Sequence, residues 1–160
     1  MCAWMFCAAA VSAAQNPAAA GGEGGYGQAL STIYLAHQRV LGIREACDRI
    51  QPAQAKATEK AFLGWQARHK LLLSELELRL TQMIRGASRD ERDYLRNIGR
   101  HEGAILDYRM SVRDDLLGEP PEAAAKVCAD FRGYLSGPGS DFQKEYAEEL
   151  RLLRQRRALK

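Results

Sequence analysis

The stretch PAQAKATEKAFLGWQARHKLLLSELELRLTQMIR, residues 52–85, decides the fold class of this chain. Apolar and aromatic residues recur in it at three- and four-residue steps, which is the spacing of one face of an α-helix. Pro52 lies in its first turn, where the missing proline N–H costs no helical hydrogen bond, and Gly86 follows its last turn. The stretch therefore predicts one helix about 50 Å long. Its predicted inward residues are Phe62, Trp65, His69, Leu72, Leu76, Leu80 and Met83.

The rest of the chain after Gln28 carries the same helical period, and strand signals such as sustained alternation or an Asn-Gly hairpin are absent from the sequence. The predicted fold class is all-α, an antiparallel bundle of four to five helices with one disulfide. Because the loops are short, the second and third helices are expected to form a long antiparallel hairpin. The remaining helices are predicted over 28–50, 88–118 and 120–136, with a fifth after residue 140.

Two capping boxes are predicted at helix starts, one formed by Ser88 with Glu91 and one by Ser140 with Gln143. In this motif the serine oxygen accepts a hydrogen bond from the backbone N–H three residues later. The residues of these helices expected to face the core are Leu30, Ile33, Tyr34, His37, Leu41, Cys47, Leu95, Ile98, His101, Ile105, Tyr108, Val112, Leu116, Val127, Cys128, Phe131, Leu135, Phe142, Tyr146, Leu150 and Leu153.

The N-terminal residues 1–14 are uncharged and mostly apolar, as in the apolar core of a secretory signal peptide. Small residues then favour cleavage after Ala13 or Ala14, and the run is shorter than the roughly 20 residues of a membrane-spanning helix. The Gly- and Ala-rich residues 15–27 predict a flexible linker, and 28–158 the helical bundle domain. The alternative, a leader that forms the first turn of a cytosolic helix, fits its composition less well.

Two of the four cysteines, Cys2 and Cys7, lie in the leader, so that Cys47 and Cys128 remain in the mature chain. An even number of cysteines in an exported protein predicts a disulfide between them. Closing a loop of about 80 residues stabilises the fold by roughly 4 kcal/mol in the chain-entropy view. We therefore expect a periplasmic or secreted protein.

The net charge of +3 is too small to predict nucleic-acid binding. Basic residues are concentrated at the C-terminus, where they oppose the macrodipole of a helix. The alternative interpretation is contact with an anionic surface through this basic tail. The residues concerned are Arg151, Arg154, Arg156, Arg157 and Lys160.

Catalytic motifs such as a phosphate-binding loop, GxSxG or HExxH do not occur, and no cofactor is predicted. The inward positions of His37, His69 and His101 would allow three imidazoles to meet in the core, as in a catalytic zinc site, with Glu102 beside them. The competing interpretation is that each histidine bonds a neighbouring group in the core. Trp65, Tyr34 and Tyr108 likewise fit either a ligand groove or the core, and their helical spacing favours the core.

The residues that carry a resemblance are spread along the chain: Cys47, Pro52, Trp65, the pattern Cys128-x-x-Phe131, and the pattern Leu135-x-Gly137 followed by Asp141. In these positions the chain resembles a class of small exported proteobacterial all-helical proteins of unknown function with two cysteines. The resemblance covers roughly Cys47 to Asp141 and implies a location and a fold. Where the class often carries Asn a few residues after the tryptophan, this chain has His69.

The sequence thus predicts an exported helical protein that acts by protein–protein interaction, in a chaperone-like, inhibitory or envelope-accessory role, without catalysis. The predicted partner is another protein, with no nucleic acid and no transmembrane segment. The alternative is a metal-binding protein or metal-dependent enzyme using His37, His69 and His101. A third hypothesis is an envelope-surface binder acting through the basic tail.

Overall fold

The computed structural model describes residues 23–155, which form six α-helices and two 3-10 turns and contain no strand. The predicted all-α class is confirmed. The predicted signal peptide, residues 15–22 of the linker and residues 156–160 of the basic tail lie outside the described residues. The helices are α1 (Glu23–Ile50), α2 (Ala55–Gly86), α3 (Glu91–Gly118), α4 (Pro121–Ser136), α5 (Phe142–Glu145) and α6 (Ala147–Gln155), with 3-10 turns at Pro52–Gln54 and Pro138–Ser140.

Helix α1 begins at Glu23, within the stretch predicted as linker. Tyr26 packs against the core, and a side chain at Gly27 would contact the sulfur of Met83 at 3.9 Å. Helical stability in proteins comes mostly from tertiary packing, so the packing of Tyr26 against the core outweighs the low helix propensity of the neighbouring glycines. The linker assignment is therefore wrong for residues 23–27.

Helix α2 carries the core along its length, as its sequence predicts. Trp65 is fully buried, and all the other predicted inward residues of α2 are buried as well, except Met83. Ile84 is buried in place of Met83. No helix between Glu23 and Gln155 has both the length and the hydropathy needed to cross a membrane.

Helix α1 contacts most of the other helices. Near its end, the Arg44 guanidinium lies 4.6 Å from the centre of the Phe62 ring, whereas Gly27 faces the far end of α2, so α1 and α2 run in opposite directions. Cys47 and Cys128 are buried at disulfide-bonding distance, with their Cα atoms 5.3 Å apart. The predicted cysteine pair is thus brought together, and it joins the end of α1 to α4.

Helix α3 packs mainly along α1 and contacts α2 much less. At the corner between α2 and α3, Arg85 pairs with Glu91 and its guanidinium lies 3.5 Å from the centre of the Tyr94 ring. Further along, α3 approaches Gly42 so closely that a Cβ there would lie 2.7 Å from the carbonyl oxygen of Arg109. The predicted long hairpin of α2 and α3 is therefore not confirmed, because α3 packs mainly on α1, which it approaches closely at Gly42.

This packing leaves α3 half-exposed, with Leu116 its one buried residue within the described chain. Leu95, predicted to face inward, is 60% exposed, and Val127 on α4 is 41% exposed. Both inward assignments are wrong, because the helix rotations are set by contacts with α1 that periodicity does not report.

The caps form two residues after Ser88 and one residue after Ser140. Asp90 caps α3 by accepting from the N–H of Asp93 at 2.8 Å, while the Ser88 hydroxyl donates to the Ile84 carbonyl at the end of α2. Asp141 caps α5, accepting from the N–H of Gln143 at 3.2 Å. Both predicted capping boxes are wrong, since an aspartate that follows each serine within two residues takes the capping position.

The predicted fifth helix is divided into α5 and α6 at Tyr146, whose backbone leaves the helical region. Phe142 before the break and Leu150 and Leu153 after it are all buried. The inward assignment of these three residues is confirmed.

Candidate functional site

A groove of about 490 Å³ lies along one flank of α2. The residues of α2 that form its wall recur at steps of three and four over two heptads. They therefore form a straight stripe about 21 Å long on the surface of the helix. The floor of the groove comes from Tyr34 and His37 of α1. The α2 residues that line it are Leu63, Gln66, Ala67, Lys70, Leu73, Ser74 and Glu77. We call this feature the α2 groove.

Large apolar side chains remain exposed on α2 at the α2 groove and next to it. Leu71 is 85% exposed, Leu63 is 53% exposed, and Leu78 is also largely in contact with solvent. Single exposed leucines are ordinary on protein surfaces, but several exposed leucines on one helix beside a concave surface favour an interaction site.

Tyr34 lies between α2 and α3 at the floor of the α2 groove. Its pKa is raised first by burial and then by the carboxylates of Glu77 on α2 and Glu102 on α3. The centre of the His101 ring on α3 lies 5.9 Å from that of Tyr34. The phenol is thus neutral at pH 7.

His37 forms the other part of the floor and stacks on the buried ring of Trp65, with the ring centres 5.9 Å apart. Burial is the first cause that lowers its pKa to about 4, followed by the charges of Arg109 and His69. Its Nε2 is buried and has no hydrogen-bond partner. The floor of the α2 groove is therefore uncharged at neutral pH.

Both ring nitrogens of His69 form hydrogen bonds with backbone groups of the core. Its Nε2 accepts the backbone N–H of Phe142 at 3.2 Å, so its proton is on Nδ1, which donates to the Trp65 carbonyl at 2.9 Å. Neither nitrogen is free to bind a metal ion.

The three-histidine hypothesis gains no support from this arrangement. His37 and His69 both lie against the ring of Trp65, whereas His101 on α3 lies against Tyr34 of α1. Burial lowers the pKa of His101, and its Nε2 is buried without a partner. Within residues 23–155, no group of three histidine, cysteine or carboxylate side chains could hold a metal ion.

Trp65, Tyr34 and Tyr108 were expected either in the core or in a ligand groove, and the structure divides them between these places. Trp65 belongs to the core, and its Nε1 donates to the Ser140 carbonyl at 3.0 Å. Tyr34 lines the α2 groove, as the ligand-groove interpretation expects. Tyr108 is half-buried on α3 and is not part of the groove lining.

A second, more polar depression surrounds the turn between α4 and α5. The guanidinium of Arg68 donates to the Leu135 carbonyl, and Lys144 pairs with Asp141 at 3.5 Å. Because these cations are already engaged and His69 is hydrogen-bonded on both sides, this region serves to join α4 and α5 to α2.

The described part of the basic tail is also engaged within the chain. Arg154 pairs with Glu75 at 3.4 Å, and Arg151 pairs with Glu148 at 2.9 Å. Glu75 also binds Arg79, which is largely buried and donates to the Leu153 carbonyl at 2.9 Å. Glu75 and Arg79 therefore connect α2 to α6.

The α2 groove was not found by sequence reasoning. Its wall mixes leucine, alanine, lysine and glutamate, so it produces no apolar period of its own beside the strong core stripe of the same helix. Two features of the sequence could have indicated it. Leu63 is an apolar residue outside the predicted core stripe of α2, and the small residues Ala67 and Ser74 follow it at helical spacing. No protein-family model, no curated protein and no solved structure matches this chain.

Proposed function

We propose that this chain is an exported helical protein that acts by protein–protein contact without catalysis, and that the α2 groove is its docking surface. The observation that carries the proposal is the apolar rim formed by Leu63, Leu71 and Leu78 beside an uncharged floor. Burying one such leucine contributes about 1.5–3 kcal/mol, so covering the rim would supply much of the affinity of a moderate complex. A chaperone-like, inhibitory or envelope-accessory role is compatible with this surface.

The export part of the proposal is supported by the buried cysteine pair. Disulfides persist mainly in oxidising compartments, so the bonding distance between Cys47 and Cys128 favours a periplasmic or secreted location. The resemblance to small exported proteobacterial helical proteins agrees with this location.

We further propose that the helices form an antiparallel bundle centred on α1. The opposite directions of α1 and α2 support it, as does the contact of Gln51 at the end of α1 with the Ala125 carbonyl near the start of α4.

Site-specific photo-crosslinking tests the docking surface. A photoreactive residue at position 71 is compared with one at Glu122, which is exposed on α4, in the full-length chain in its native cell compartment. We expect a discrete crosslinked product at 71 that disappears when Leu63→Asp and Leu78→Asp are added, with the helical circular dichroism unchanged. Equal yields at 71 and 122, or a product insensitive to those two substitutions, would contradict the proposal.

A further inference from the structure

We propose that the α2 groove receives a single amphipathic helix of a partner protein, lying lengthwise along α2, with one acidic and one basic residue seven positions apart facing Lys70 and Glu77. This inference rests on the proposed function and specifies the partner of the same surface.

The shape of the α2 groove fits a helix. The stripe from Leu63 to Glu77 spans about four helical turns in a straight line, whereas a compact small molecule would fill a fraction of that length. Ala67 and Ser74 lie seven residues apart in this wall, and their small side chains let a second backbone approach. An amphipathic helix in an apolar groove is a recurring mode of peptide recognition.

The apolar contacts in the groove would come from both sides of this wall. Leu73 is half-buried inside it and Leu63 is exposed at its edge, so both offer apolar surface to an incoming side chain. Leucine or phenylalanine side chains of the partner at steps of three and four residues would pack between them and the ring of Tyr34.

The charges of the α2 groove are confined to two positions. Lys70 and Glu77 form no ion pair within the described chain. They lie two helical turns apart, about 10.5 Å along the axis, and residues i and i+7 of a docked helix repeat at the same distance. The lowered pKa of His37 and the raised pKa of Tyr34 keep the floor between them neutral.

The order of the acidic and the basic residue in the partner's sequence also sets the direction of the docked helix. With the acidic residue first in sequence, the partner helix pairs with both Lys70 and Glu77 when it runs parallel to α2. With the basic residue first, it pairs with both when it runs antiparallel. Complementary charges at an interface fix register and direction more than they raise affinity.

Binding of designed peptides tests the inference. Three 18-residue amphipathic peptides share one apolar face and differ only at two positions seven apart, which carry Glu and Lys, Glu and Glu, or Lys and Lys. Fluorescence anisotropy with the full-length protein should show the Glu/Lys peptide binding about fivefold tighter than the other two. In Glu77→Lys the preference should change to the Glu/Glu peptide, and in Lys70→Glu to the Lys/Lys peptide.

Glu122→Lys is the matched control, because it makes the same charge change on α4 and should leave the order of the three peptides as in the wild type. Equal affinities for all three peptides, or the same preference in every variant, would overturn the charge register. If position 71 still crosslinks to a protein in that case, the proposed function stands and this inference alone fails. A crosslink from position 71 to a second copy of the chain or to residues 1–22 would replace the partner helix with that occupant and overturn the inference.

Discussion

The backbone N–H of Phe142 donates a hydrogen bond to Nε2 of His69, 73 residues earlier in the chain. Phe142 is fully buried, and its ring centre lies 5.5 Å from that of His69 and 5.2 Å from that of Trp65. The Trp65 indole in turn donates to the Ser140 carbonyl. Two side chains of α2 therefore satisfy backbone groups on the turn that begins α5, and they position the C-terminal part of the chain on the core.

His69→Leu should lower the free energy of unfolding by about 2 kcal/mol, because it leaves the buried N–H of Phe142 without an acceptor. Urea denaturation at pH 7 measures this loss. The matched control is His37→Leu, which removes a buried ring whose Nε2 has no partner and should change stability by less than about 1 kcal/mol. Equal losses in the two variants would mean that the Phe142 hydrogen bond contributes nothing specific.

Gly42→Ala should destabilise the protein by about 1–3 kcal/mol, although alanine is the better helix former. The new Cβ would lie 2.7 Å from the Arg109 carbonyl oxygen and 3.0 Å from Val112, so α3 must move away from α1. Thermal and urea unfolding measure the loss.

Gly99→Ala on α3 is the comparison for Gly42, because nothing lies within 4 Å of the position that its Cβ would occupy. This variant should gain about 0.5–1 kcal/mol from helix propensity alone. A stabilised Gly42→Ala variant would show that α1 and α3 do not pack as closely as described.

The double variant Cys47→Ala/Cys128→Ala should lose roughly 4 kcal/mol of stability, as expected for a crosslink between cysteines 81 residues apart. Denaturation of the oxidised wild type and of this variant gives the difference. The wild type unfolded in the presence of a thiol reductant is the matched control and should unfold as the Cys47→Ala/Cys128→Ala variant does. Equal stability of the Cys47/Cys128 variant and the wild type would mean that the pair is not bonded in the purified protein.

The sequence was sufficient to predict the buried face of α2, because the core stripe of this helix is long and regular. The burial of Phe62, Trp65 and Leu76 follows directly from the helical period. The sequence was insufficient for α3, which packs mainly on α1, because the close approach of these two helices at Gly42 is visible only in the structure. A glycine within a helix reads in sequence only as a weak helix former. Pairing of helices is a tertiary property, and periodicity reports only which face each helix buries.

The histidines and the α2 groove show that helical periodicity also does not report which groups a single side chain contacts. The period placed His37, His69 and His101 towards the interior, but the ring that each one contacts depends on helix rotation. Which nitrogen of His69 is protonated depends on Phe142, which is far away in sequence. Lys70 and Glu77 read as ordinary surface charges, because the concavity that makes them neighbours of Tyr34 and His37 exists only after α1 and α2 pack.

The last prediction concerns pH. The pKa of His37 is lowered from 6.5 to about 4 in the folded protein, mainly by burial. Between these two values the unfolded chain binds a proton that the folded protein does not, so the stability is complete above pH 6.5 and decreases as the pH falls towards 4. From pH 7 to pH 5 the contribution of His37 should decrease by about 2 kcal/mol.

Urea unfolding of the wild type and His37→Leu at pH 7 and pH 5 isolates this contribution, since all other titrating groups are common to both. The leucine variant should lose about 2 kcal/mol less than the wild type over this interval. A smaller decrease should remain in the variant, because burial also lowers the pKa of His101. If both proteins lose the same amount, the pKa of His37 is not lowered in the fold, and the floor of the α2 groove becomes positively charged already at pH 5.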